Sequence, residues 1–260
     1  MANIEIEPRN AVTTVWLNRA DKRNAMNGAV VDELATALDA IAADRTVRVV
    51  VLRGRGPVFS SGIDHTLLGS VMQSSRTTPF AHLHYRLQDA FHRLGRMQQP
   101  VIAALHGTCI GMAFELALAA DIRIASEDCI LGLPEIAFGI VPDVGGTTRL
   151  VRAAGEPRAR ELILTGRLVK ARTAERYGLV HDVAANLDDR VAARADQLAQ
   201  LSPAALGLAK TLCQASAETG SAASFRLEGV VQEALMAQAD LAARFPEGIA
   251  FIRAQIAAAE

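Results

Sequence analysis

Residues 100–125 read Pro100-Val101-Ile102-Ala103-Ala104-Leu105-His106-Gly107-Thr108-Cys109-Ile110-Gly111-Met112-Ala113-Phe114-Glu115-Leu116-Ala117-Leu118-Ala119-Ala120-Asp121-Ile122-Arg123-Ile124-Ala125, and their pattern decides the fold. The five apolar residues after Pro100 show no polar alternation, as expected of a strand covered on both faces. Gly107 and Gly111 bracket a turn into a helix that carries Glu115. Asp121 to Ala125 then alternates as a strand does. Strand, loop, helix and strand in succession point to an α/β fold whose sheet is sandwiched by helices.

The same grammar extends outward. Upstream, Ile4-Glu5-Ile6 and residues 12–17 read as strands, residues 30–42 as a helix after Asn27-Gly28, and residues 47–52 as a continuous β-branched strand broken by Arg53-Gly54-Arg55-Gly56-Pro57. Helical periodicity resumes over residues 80–97. From Leu187 onward no strand signal recurs, and Ala-rich helical segments run past Pro203 and Pro246. The expected division is a mixed core over 1–200 and a helical region over 201–260. No internal repeat and no low-complexity linker is visible.

Composition excludes several functions. The chain has 260 residues, half of them hydrophobic, enough for one large core and a helical appendage. With 27 Lys+Arg against 28 Asp+Glu, it has no basic field for nucleic acid or an anionic membrane. Cys109, Cys129 and Cys213 lie far apart with no C-x-x-C spacing, which argues against a disulfide framework or a zinc site and for a reducing cytoplasm. Met1-Ala2-Asn3-Ile4-Glu5 carries no export signal, and Glu115 and Asp121 interrupt the most apolar stretch too soon for a membrane span. His82 and His84 do not share a helical face, so a metal pair is not expected. Neither a G-x-S-x-G elbow, a P-loop nor a G-x-G-x-x-G after a strand occurs.

Glu115 and Glu135 stand out instead. Each sits among residues that argue for burial, and a buried carboxylate escapes the cost of its charge by a raised pKa, which suits proton transfer near neutrality. Ordinary readings exist: a solvated helix edge for Glu115, a first-turn helix position after Pro134 for Glu135. Asp143 reads either as a helix N-cap or Asx-turn before Thr147 or as a third acid.

Several successive segments resemble the signatures of the crotonase, or enoyl-CoA hydratase/isomerase, family. They are Phe59-Ser60-Ser61-Gly62-Ile63-Asp64, residues 100–107, residues 114–123, Leu133-Pro134-Glu135, and Gly139-Ile140-Val141-Pro142-Asp143-Val144-Gly145-Gly146. The likeness runs from Leu17-Asn18-Arg19 and Asn24-Ala25-Met26 to Glu247-Gly248-Ile249-Ala250-Phe251, and its motifs are nearest those of enoyl-CoA hydratases. It implies a spiral of β-β-α units with a C-terminal helical oligomerisation region, a homotrimer or dimer of trimers, and an acyl-CoA thioester ligand of fatty-acid metabolism with no separate cofactor. By the same resemblance Ile63 and Met112 N–H form an oxyanion hole, and Ala25, Met26, Ser61, Gly62, Ile63, Asp64 and Gly111 contact the substrate. Glu115 and Glu135 match the two hydratase glutamates. The family usually has glycine where this chain has Met112, and hydratases usually have glycine where it has Asp143. Dienoyl-CoA isomerases carry an acid at the latter position and crotonobetainyl-CoA hydratases share the aspartate. Hydration of a 2-enoyl-CoA is therefore the expectation, with a double-bond isomerase using Glu135 and Asp143 as one alternative and a non-catalytic acyl-CoA-binding subunit as another.

Overall fold

A computed structural model of the protein describes residues 2–74, 80–239 and 241–259. The chain begins with strands β1 (Ile4–Arg9) and β2 (Val12–Leu17), helix α1 (Gly28–Ala43), strand β3 (Val49–Gly54), and helices α2 (His65–Ser74) and α3 (Phe80–Arg96). Asn27 starts α1 as expected of an N-cap, its side chain accepting from Val30 N–H at 3.0 Å. Next come β4 (Val101–Leu105), β5 (Thr108–Ile110), α4 (Met112–Leu118), β6 (Ile122–Ser126) and β7 (Ile130–Gly132). They lead into α5 (Gly146–Ala154), α6 (Glu156–Thr165), β8 (Val169–Lys170), α7 (Ala171–Arg176), β9 (Asp182–Ala184) and α8 (Leu187–Gln200).

The six-stranded sheet has the order β1-β2-β3-β4-β6-β9, parallel throughout except for β1 at its edge. Side chains alternate across it. Val12, Val49, Val51, Ile102, Ala104 and Ile124 pack beneath Leu187, Val191 and Ala195 of α8. On the opposite face Val15, Leu17, Val50, Leu52, Ala103 and Leu105 belong to the larger core, with Leu34 and Leu38 of α1, Phe91 and Leu94 of α3, and Phe114 of α4. Burial on both faces explains the unbroken apolar runs. Each fully buried aliphatic side chain contributes about 1.5–3 kcal/mol.

The second sheet, β5-β7-β8, arises because the chain coils. β4, β5 and α4 form one turn and β6, β7 and the helical segment after them form the next, each giving one strand to each sheet. An isolated bridge from Ser60 to Cys109 adds the preceding turn to the small sheet. Residues 108–110 were expected as a turn; they are a strand, since Thr108, Cys109 and Ile110 pair with Ile130, Leu131 and Gly132. Three residues are too few to show a period, so only tertiary pairing reveals them.

Contacts divide the chain into Met1–Pro203 and Ala204–Glu260. The second unit is helical: the rest of α9 (Pro203–Glu218), then α10 (Ser221–Met236) and α11 (Leu241–Ala259). Phe225, Val230, Met236, Phe245, Ile252 and Ile256 are all more than half exposed there. Among the described residues no helix is long and apolar enough to cross a membrane. The three cysteines are free: Cys109 and Cys129 are buried and Cys213 is exposed. Burial pushes the Cys129 thiol up to about 12 and the Cys109 thiol well above its ordinary value.

Candidate active site

Three backbone segments meet at Gly62 and Gly111. Gly62 has φ +91°, and a β-carbon there would lie 2.6 Å from Ile110 carbonyl oxygen and 3.5 Å from Met112 nitrogen. Only glycine permits that approach. Met26 N–H donates to Gly62 O at 2.8 Å and Asp64 N–H to Met26 O at 2.9 Å, so Ile63 lies between two bonds with its own N–H on the opposite side. Met112 is the first residue of α4, where helix N–H groups lack intrahelical acceptors. Among the described residues neither the Ile63 nor the Met112 N–H has a partner. The Met112 side chain, 5% exposed, packs into the large core cluster.

The loop bearing Ala25 and Met26 is pinned from below. Asn24 adopts φ +54° and is 1% exposed. Its side-chain nitrogen faces the carbonyls of Arg55, Val58 and Phe59 at 2.8, 2.9 and 3.1 Å, while its oxygen accepts from Arg19 N–H at 2.9 Å. Ser61 N–H donates to Arg23 O, and Ser60 Oγ to Asn24 O. Asp64 steadies the next turn: the Thr66 hydroxyl and amide, with Arg19 at 3.0 Å, hold its carboxyl down at about 2. Ala25, Met26, Ser61, Gly62, Ile63, Asp64 and Gly111 are thus brought together.

Glu115 lies in the first turn of α4, 1% exposed. Its Oε2 accepts Val144 N–H at 3.0 Å and Gly146 N–H at 2.6 Å. Burial, reinforced by the charge of Glu135, raises its pKa to about 8 against the lowering effect of those amides. Gly146 is tight against it, for a β-carbon there would sit 2.5 Å from Glu115 Oε2. Glu135 opens a 3-10 turn, Glu135–Phe138, directly after Pro134. Its Oε1 is 3.2 Å from the place of a Gly111 β-carbon, and its buried Oε2 has no partner among the described residues. Burial, with a smaller push from Asp143, raises its pKa to about 7. Two carboxyls that titrate near neutrality beside a pair of unpartnered amides can exchange protons with a bound molecule and stabilise an oxyanion on it.

Asp143 does not cap a helix. Gly145 occupies the N-cap of α5 with no side-chain bond, and Asp143 Oδ2 instead meets His84 Nδ1 at 3.1 Å. Sequence reasoning set His84 aside with His82, whose side chain lies outside the described residues, and missed Gln88, whose amide donates to Asp143 O at 2.8 Å. The available signal was their i, i+4 spacing on one face of α3. Asp121 is structural, its Oδ2 accepting Val101 N–H at 2.8 Å.

A cavity of about 590 Å³ opens elsewhere, among Trp16, Arg53, Arg55, His106, Asp128 and Asp188. Its arginines are engaged: Arg55 with Glu5 at 2.7 Å and Glu7 at 3.1 Å, Arg53 with Asp188, both over the Trp16 ring. None of the residues placed around the glutamates lines it.

Residues 7–251 match the family model described as enoyl-CoA hydratase/isomerase. The 2,3-dehydroadipyl-CoA hydratase of Escherichia coli (strain K12) is 34% identical over 230 residues, 88% of each chain. The crystal structure of the enoyl-CoA hydratase from Bacillus anthracis superposes with a TM-score of 0.87 at 31% identity, covering 95% of this chain and 96% of that one. A candidate enoyl-CoA hydratase from Thermobifida fusca YX, in complex with acetoacetyl-CoA, superposes with a TM-score of 0.80 at 36% identity over 91% and 95% of the two chains.

Proposed function

The chain belongs to the enoyl-CoA hydratase/isomerase family, and from that premise we propose that it adds water across the 2,3-double bond of an enoyl-CoA thioester to give a 3-hydroxyacyl-CoA. The observation that carries the reading is the pair of buried glutamates with pKa values raised to about 8 and about 7. Glu115, with Oε2 held by two amides, orients water through Oε1 and takes its proton as the oxygen bonds to C3. The π electrons pass to the thioester, whose developing oxyanion is met by Ile63 and Met112 N–H. Glu135 protonates C2, and the site resets when Glu115 gives up the proton it took from water and Glu135 regains one by exchange with solvent.

This cycle needs one proton on the pair, residing on Glu135. In the free site burial raises the proton affinity of both carboxyls, and the shared proton belongs to the coupled pair. The reading calls for no metal or redox cofactor. Cytoplasmic location fits the buried reduced thiols, and assembly as a trimer or dimer of trimers fits the exposed apolar side chains after residue 204.

The position of Asp143 favours a second reading, a double-bond isomerase in which Glu135 and Asp143 move a proton along the acyl chain. Incubation with crotonyl-CoA and with a 3-enoyl-CoA, followed by mass analysis and by the ultraviolet absorbance of the conjugated enoyl thioester, separates the two. Hydration adds the mass of water to crotonyl-CoA. Rearrangement of the 3-enoyl thioester at unchanged mass, with crotonyl-CoA untouched, would replace the hydratase by the isomerase; binding with no conversion would leave an acyl-CoA-binding subunit.

A further inference from the structure

Residues 142–146 carry three elements of the site: the Asp143 carboxylate and the Val144 and Gly146 amides that hold Glu115 Oε2. Two ties come from its own neighbourhood, Thr147 Oγ1 to Pro142 O and Arg149 Nη1 to Val144 O, both at 3.1 Å. Two more reach Asp143 from α3: His84 Nδ1 to the carboxylate at 3.1 Å and Gln88 Nε2 to the main-chain carbonyl at 2.8 Å. A carboxylate only accepts, so the His84 tautomer with hydrogen on Nδ1 is the one that donates. Residues 84 and 88 are successive on one helical face, and on another face Leu87, Phe91 and Leu94 anchor the same helix in the core. A rigid element therefore grips one residue at both its side chain and its backbone.

We infer that His84 and Gln88 are positioning residues, a clamp through which α3 fixes Asp143 and, next to it, the Val144 amide that orients Glu115. As a hydrogen bond between partly exposed side chains, 23% and 36% exposed, the His84–Asp143 contact adds little stability. Their effect falls on geometry: the clamp keeps Asp143 at a set distance from both glutamates, whose affinity for protons its charge raises.

The kinetic arm of the test rests on the hydratase reading; the structural arm does not. His84→Asn keeps a donor near the place of Nδ1, whereas His84→Ala and His84→Gln do not. His84→Ala is expected to lower kcat on crotonyl-CoA about tenfold, the effect of one charge-assisted hydrogen bond, with KM changed less than about threefold. His84→Asn should restore most of it, and in an Asp143→Ala background, which removes the accepting carboxylate, His84→Ala should add less than a further twofold loss. Independently of turnover, hydrogen exchange of peptides spanning 142–149 should quicken in His84→Ala and Gln88→Ala and stay slow in His84→Asn. Unchanged exchange in both alanine variants overturns the clamp even in an active hydratase. So does a His84→Ala loss that persists in full beside Asp143→Ala. Faster exchange in a protein that hydrates nothing keeps the clamp and removes the hydratase.

Discussion

At the scale of single residues the site is defined by two carboxyls kept from water. Both have folded-state pKa values above the ordinary carboxylate range, so the folded protein holds more protons than the unfolded chain between about pH 4.5 and about 8. Their contribution to stability is therefore full at acid pH and is lost as pH rises through about 7 and 8. Glu115→Gln removes that loss while its amide oxygen still accepts the Val144 and Gly146 N–H groups. The variant should melt above wild type at pH 9, by on the order of 3 kcal/mol in unfolding free energy, with the gap closing near pH 5; differential scanning calorimetry across that range reads it. The same variant should lose at least about 100-fold in hydration, since an amide takes no proton from water. Gly146→Ala tests the packing instead: the added carbon displaces the Glu115 carboxylate. Its expected signature is a soluble, folded enzyme whose kcat drops about tenfold or more while acyl-CoA affinity holds. Glu115 and Glu135 were legible because their apolar neighbours left no wet face for them. His84 was not, because a histidine on an amphipathic helix has meaning only once residue 143, distant in sequence, lies against it.

Among the elements, the loop between β2 and α1 depends most on one side chain. Asn24 holds a left-handed backbone and spends one amide group on three carbonyls, which leaves them unsatisfied in the interior if it is shortened. Asn24→Ala should cost about 3 kcal/mol by urea unfolding and weaken acyl-CoA binding, because Ala25 and Met26 follow it directly; an unaltered midpoint would show the bonds to be dispensable. Long elements were readable: the apolar run at 101–105 and the periodicity from residue 80 appear as β4 and α3. The three-residue strands of the small sheet were not, for each is specified by its partner strand and too short to carry a period of its own. The segment that became α2 was likewise passed over, since a ten-residue helix with little amphipathic contrast resembles a loop.

For the molecule as a whole, Phe225, Val230, Met236, Phe245, Ile252 and Ile256 form an exposed apolar set within residues 204–260, the kind of surface on which proteins associate. If these side chains join subunits, light scattering on a sizing column should give a trimer or a multiple of it, and Phe225→Glu with Phe245→Glu should shift the mass downward. A wild-type monomer at micromolar concentration would remove the assembly. The disposition of the cysteines supplies an independent way to count. Since Cys109 and Cys129 are sealed in the interior and Cys213 alone meets solvent, a maleimide dye should attach once per native chain, within the helical unit. Each immobilised particle would then go dark in as many discrete steps as it has subunits.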